Sequence, residues 1–260
     1  MRRLALLLCL MSVSLTGHTG EPARFVARSL ELHGTTYRYR VFVPDGWTAE
    51  RRWPVVLFLH GSGERGRNNR AQLGQGLPPW LNGHGEAFPA VVVIPQAPAG
   101  SRWHGAIEQM ALKALDDSIG EWHGDRRRLY LTGLSMGGYG AWQIALDHPG
   151  MFAAAAIVCG GIRHPNDHAD LRVQGIPATA GDPHAWLAAH LGTLPVWIFH
   201  GALDDVVPPE ESRRMHAALQ ARGAEVRYTE FAGIRHASWQ AAYATQALWP
   251  WMFAHRLPAR

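Results

Sequence analysis

The sequence predicts an α/β fold, with a mostly parallel central sheet and helices on both of its faces. Three observations carry this. Short apolar runs bounded by Gly or Pro recur along the chain. Patterns with apolar residues three and four apart lie between them. One serine sits between glycines where such a run gives way to a helix.

The strands come first. Thr36–Pro44 alternates polar and β-forming residues and reads as an antiparallel edge strand. Pro54–Gly61, Ala90–Gln96, Arg128–Gly133, Phe152–Gly160, Leu194–Gly201 and Glu225–Gly233 are apolar runs, read as strands buried on both faces. Between them Ile107–Trp122, Met136–Leu146, Glu210–Gln220 and Ser238–Phe253 carry helical spacing. Residues 61–89 and 161–186 show neither period and read as long irregular loops, which in compact domains usually carry function.

Composition bounds the rest. The chain has 260 residues, of which 47% are hydrophobic and 18% charged, enough for one sizeable core and too apolar for a disordered chain. The first residues, MRRLALLLCLMSVSLTGHTG, have a basic start and an apolar stretch too short for a comfortable membrane span. Residues 1–20 are therefore expected to be a signal peptide, 21–260 a single domain, and the product secreted or periplasmic. Removing Arg2 and Arg3 takes the formal charge from +4 to about +2. Lys113 is the only lysine, and the scattered arginines form no basic stripe, so nucleic acid is not an expected partner. Arg126-Arg127-Arg128 reads as a solvated loop. Cys9 falls in the signal, which leaves Cys159 without a partner and read as a buried thiol.

Gly133-Leu134-Ser135-Met136-Gly137 joins a predicted strand to a predicted helix. The glycines allow strand and helix to approach, and Ser135 is pushed up on the turn, as in a nucleophile elbow. A serine hydroxyl needs a general base. His236 follows the last strand, where its loop returns over the sheet; His200 reads as structural and His255 lies too far round. An acid after the strand at Leu194–Gly201 would steady the imidazole, and Asp204 and Asp205 both qualify. Two backbone N–H groups should face the developing oxyanion, one from Met136 and one from Ser62, with Gly61 as the alternative to Ser62.

LFLHGSGERG, VVIPQAP, LTGLSMGGYGAW, AAIVCGG, PVWIFHGALDDVVP and HASW follow one another in the chain. In this order they resemble the α/β-hydrolase superfamily. More narrowly, they resemble the secreted carboxylesterases of the dienelactone-hydrolase, phospholipase/carboxylesterase and polyhydroxybutyrate-depolymerase-like group, many labelled predicted peptidases. The resemblance spans nearly all of the chain after the signal. Its HG-x-x-D-x-x-V-P motif implies Asp204 as the acid. The group's histidine often follows glycine, whereas Arg235 precedes His236 here. The resemblance also implies that Trp103, Trp239 and Trp80 wall the substrate pocket; Trp142, Trp197 and Trp249 read as ordinary core tryptophans.

The expected chemistry is hydrolysis of small carboxylic esters, short-chain or aryl (feruloyl or acetyl among them), with no cofactor and no large lid domain. The rivals are a peptidase of small peptides and a non-catalytic binding protein on the same scaffold. His164, Asp167, His168, Asp182 and His184 cluster in one loop but lack metal-site spacing, so no metal is expected.

Overall fold

The computed structural model describes residues 24–163 and 171–259. The expected signal peptide, Cys9, His164, Asp167 and His168 lie outside the described residues. Eight strands form one sheet: β1 (Arg24–Leu32), β2 (Thr35–Val43), β3 (Trp53–Leu59), β4 (Val91–Pro95), β5 (Gly124–Leu134), β6 (Ala154–Val158), β7 (Val196–Gly201) and β8 (Val226–Phe231). Their order is β1-β2-β4-β3-β5-β6-β7-β8. The pairs β1/β2 and β2/β4 are antiparallel, and the others are parallel. The helices are α1 (Leu77–His84), α2 (Ala106–Glu121), α3 (Met136–Asp147), α4 (Pro183–His190), α5 (Pro209–Ala221), α6 (Trp239–Tyr243) and α7 (Leu248–Ala254).

Both faces of the sheet are covered. Val55, Leu57 and Leu59 of β3 point into a core closed by α2, α3, α4 and α5, through Met110, Trp142, Leu187 and Met215. The intervening Val56 and Phe58 point into a second core closed by α1, α6 and α7, through Leu81, Tyr243 and Met252. A parallel strand buried on both sides must be apolar at every position, which is why β3 and β4 read as unbroken apolar runs.

Several elements differ from the sequence expectation. β2 is not an edge strand: β1 lies outside it, joined through His33 (φ 49°) and Gly34 (φ 73°), the left-handed pair that a two-residue hairpin turn requires. The true second edge is β8, which is only half-buried. The predicted Ser238–Phe253 helix is two helices, because Pro250 cannot donate to the carbonyl four residues earlier and so begins a new first turn. α1 and α4 lie in the stretches read as irregular; each is eight residues long with Pro in its first turn. Arg126-Arg127-Arg128 is part of β5 rather than a loop. Arg126 pairs with Asp116, Arg128 Nε lies 2.8 Å from Asp125, and Arg127 Nε donates to the Leu257 carbonyl.

The turn from β5 into α3 sets the site. A Cβ at Gly137 would meet the Leu59 carbonyl oxygen at 1.9 Å, and one at Gly133 would meet the Gly137 oxygen at 2.2 Å. Strand β3, strand β5 and helix α3 therefore cross backbone to backbone. Gly137→Ala should cost at least about 3 kcal/mol in urea unfolding, because the opposing atoms are backbone and cannot turn aside. Gly120→Ala is the control: it sits in α2 with nothing within 4 Å and should gain up to about 1 kcal/mol.

Candidate active site

Ser135 occupies the N-cap of α3 at φ 52°, ψ −120°. Few non-glycine residues tolerate this left-handed backbone. It is held by Ser135 N–H donating to the Val158 carbonyl and by the Ser135 carbonyl accepting from Gly138 and Tyr139. His236 Nε2 lies 2.9 Å from Ser135 Oγ, and Nδ1 lies 2.7 Å from Asp204 Oδ2. A carboxylate only accepts, so Nδ1 carries the hydrogen and Nε2 is free to accept the serine proton. Ser135 is 8% exposed and the His236 side chain 18%.

The acid loop and the histidine loop are joined by backbone. Leu203 N–H donates to the Ile234 carbonyl and Ala202 N–H to the Phe231 carbonyl. A Cβ at Gly201 would strike the Arg235 carbonyl oxygen at 2.2 Å, so this crossing also needs glycine. Asp204 is brought to His236, while Asp205 turns outward to Arg235. Burial alone would raise the Asp204 carboxyl pKa. Hydrogen bonds from His200 and His236, and the Val206 and Val207 amides on Oδ1, outweigh it and hold the group well below the usual carboxylate range.

The loop after β3 runs beside the serine: a Cβ on Gly61 would lie 3.7 Å from the Ser135 Cβ. Its peptides are fixed from behind. Trp103 Nε1 donates to the His60 carbonyl at 3.0 Å. His60 Nδ1 donates to the Gly61 carbonyl at 2.6 Å, and His60 Nε2 accepts from Ala97 N–H at 3.0 Å. Because the peptide is planar and trans, fixing the Gly61 carbonyl fixes the direction of the Ser62 N–H. Met136, first residue of α3, has no acceptor within its own helix for its N–H.

The tryptophans divide. Trp239 stands edge-on to His236, with ring centres 5.6 Å apart, and donates to Gln75. Trp80 is committed to a cluster with His84, Phe88 and Trp249. Trp103 corrects the expectation of a pocket wall. It is 2% exposed, packed in the core against α3, with its indole N–H spent on the His60 carbonyl.

Two residues that the sequence reading placed in the interior, without a link to the site, lie beneath it. Cys159 (φ 39°) is buried with its sulfur near Asp204 and His236, and burial together with the Asp204 charge pushes its thiol up to about 12. His200, read as structural, lies against Asp204. Asp182 caps α4 by accepting from His184 and Ala185, and His184 faces Glu211. A cleft of about 520 Å³ lined by Arg127, His148, Met151 and Leu257 lies at the amino end of β5, away from the serine.

With this geometry in view, a family model described as the prolyl oligopeptidase family matches residues 111–255, more than half of the chain. The chain belongs to the prolyl oligopeptidase family. Among solved structures, a thermostable esterase superposes with a TM-score of 0.70 at 30% identity, covering 89% of this chain and 63% of that one. An uncharacterized secreted protein of Arthroderma benhamiae is 28% identical over 210 residues, 70% of this chain and 21% of its own length. Poly(3-hydroxyalkanoate) depolymerase C of Paucimonas lemoignei is 28% identical over 193 residues, 64% of this chain and 44% of its own length. The chain thus spans less than half the length of these two curated relatives. The fold is that of the α/β-hydrolases, and the group holds both esterases and peptidases. No helix among the described residues is long and apolar enough to cross a membrane.

His60 gives this site a measurable pH signature. Burial lowers its pKa to about 4, against the pull of the Gly61 carbonyl. An unfolded chain takes up this proton near pH 6.5, so the contribution is complete above that pH and is lost as pH falls toward 4. Unfolding free energy measured from pH 7 to pH 4 should fall by about 3 kcal/mol more in the wild type than in His60→Asn.

Proposed function

We propose that the chain is a serine hydrolase of carboxylic esters that works through an acyl-enzyme. The observation that carries this reading is the unbroken relay from Ser135 Oγ through His236 to Asp204, at 2.9 and 2.7 Å. Ser135 attacks the ester carbonyl carbon while its proton passes to His236 Nε2. Asp204 steadies the imidazolium that forms. The oxyanion is held by the N–H groups of Met136 and Ser62. The carbonyl then re-forms, the bond from its carbon to the alkoxy oxygen breaks, and the alcohol leaves with the proton from Nε2. Water attacks the acyl-serine by the same route and restores the hydroxyl.

Ester substrates are favoured by the likeness to a thermostable esterase and to a polyhydroxyalkanoate depolymerase. Short-chain or aryl esters, feruloyl and acetyl esters included, suit a site that carries the aromatic ring of Trp239 beside the histidine. A single domain over residues 21–260, exported by the N-terminal signal, accords with the likeness to a secreted protein. The family name supports one rival, cleavage of small peptides.

Hydrolysis of p-nitrophenyl esters from C2 to C12, of methyl ferulate and of amino-acyl anilides should separate these. Ester hydrolysis should dominate, and Ser135→Ala should lose at least about 10⁴-fold in turnover and all labelling by a fluorophosphonate probe. Preference for the anilides would shift the assignment to a peptidase; a folded wild type that neither labels nor turns over would make it a binding scaffold. Trp103→Phe keeps most of the ring and removes the N–H that orients the oxyanion loop. Its turnover should drop by about tenfold with KM little changed.

A further inference from the structure

One buried titratable group is left without a part in this chemistry. His200 is the next-to-last residue of β7, its side chain wholly buried, four residues before Asp204. Its Nε2 lies 2.9 Å from the Val207 carbonyl oxygen and 3.0 Å from Asp204 Oδ2. Both neighbours are acceptors, so Nε2 carries the hydrogen and shares it between them. Its Nδ1 lies 2.7 Å from the hydroxyl of Ser212 on α5, itself 1% exposed. With Nε2 protonated, a neutral ring leaves Nδ1 bare, and Ser212 donates to it. The serine therefore fixes the tautomer of His200.

The consequence falls on Asp204. Its Oδ1 holds the amides of Val206 and Val207, and its Oδ2 is the same oxygen that receives His236 Nδ1–H. Four donors surround a carboxylate whose side chain is wholly buried. Three of them belong to its own loop and strand end, and only the fourth, His236, is on the element that meets the serine. Without His200, Oδ2 would keep an unfilled acceptor site in a place sealed from solvent. Its charge would then fall more heavily on His236, and its direction would no longer be set from behind.

We infer that His200, with its tautomer set by Ser212, is a positioning residue for the acid of the relay: a second imidazole behind Asp204 that aims Oδ2 at His236 and takes part of its charge. This rests on the reading of Ser135, His236 and Asp204 as the catalytic relay. The other ionisable groups around it are already committed. Glu230, in register with His200 on β8, faces Arg213 and Tyr228. Glu211 on α5 accepts from Ile162, Arg163 and His184. Cys159 and Tyr139 are held neutral by burial, and Asp205 pairs outward with Arg235.

The test is the rate of fluorophosphonate labelling from pH 5 to 9, with p-nitrophenyl acetate turnover beside it, on wild type, Ser135→Ala, His200→Leu, His200→Gln and Ser212→Ala. Loss of the donor leaves more negative charge facing His236, which then holds its proton more tightly. His200→Leu should therefore move the acid limb of both profiles up by about 0.5 pH unit or more and lower turnover by about tenfold, with KM within about twofold. His200→Gln restores an N–H toward Oδ2 and should bring the limb back. Ser212→Ala should shift it in the same direction by less, and it carries the test if His200→Leu does not fold. An acid limb unmoved in the folded donorless variant, or in Ser212→Ala where that variant alone folds, overturns the inference even if activity is lost, since a merely structural residue would act that way. Wild type that does not label, or Ser135→Ala that does, overturns the relay itself and is told apart by those two proteins alone.

Discussion

The site depends on one close crossing of backbones. Helix α3 starts so near the end of β3 that a single methyl group at position 137 would overlap the Leu59 carbonyl. That approach places the His60–Ser62 loop, which continues β3, against the turn that carries Ser135. Two structures with no common side-chain chemistry, a serine on a strained turn and a row of peptide N–H groups, come together because their backbones touch. The same device is used again at Gly201, where the histidine loop crosses the start of the acid loop. Ser135, His236 and Asp204 come from three separate connections, and glycine at two crossings lets them meet.

The electrostatics separate groups that look alike. His60 and His200 are both fully buried histidines at the carboxyl ends of parallel strands, β3 and β7, with β5 and β6 between them. His60 contacts a carbonyl, an amide and an indole, with no carboxylate among its hydrogen-bond partners, so desolvation dominates and keeps it neutral. Asp204 is equally buried yet stays ionised, because four donors surround it. Cys159 lies next to that negative charge in an apolar setting, and both influences keep it a thiol. The negative charge in this buried region is thereby confined to the carboxylate that faces His236.

Much of this was legible in the sequence, because the strands on which it rests are buried on both faces and show as unbroken apolar runs. The turn at Ser135 was legible for a related reason: the glycines that permit it flank it directly. What did not show was any element whose determinants lie elsewhere. β1 is an edge strand whose half-exposed alternation is weak, and its clearest mark is the His33-Gly34 turn that follows it. α4 is too short to display a period, although Asp182 before Pro183 is a recognisable cap and first-turn pair. Trp103 was misjudged because a tryptophan in a loop looks available. Its place is made by Gly140 of α3, where a Cβ would meet the Trp103 Cβ at 2.3 Å. The glycines after Ser135 therefore answer to different neighbours: Gly137 to β3, Gly138 to Gly160, and Gly140 to a tryptophan more than thirty residues away in the chain.

Strain at the site is concentrated in two neighbouring strand ends. Ser135 after β5 and Cys159 after β6 both take the left-handed backbone that non-glycine residues avoid. Each is held by a hydrogen bond to the next strand, Ser135 N–H to Val158 and Cys159 N–H to Phe199. The sheet's own ladder therefore continues one residue past its ends, and that extension stabilises the conformations the site needs. The cost of each strained residue, about 1–3 kcal/mol, is met by backbone bonds of the kind that hold the sheet together, so the serine is displayed at the hydrogen-bonded end of the central sheet. With Ser135 fixed in this way, His236, on the half-exposed loop beyond β8, is the most accessible of the three hydrogen-bonded side chains.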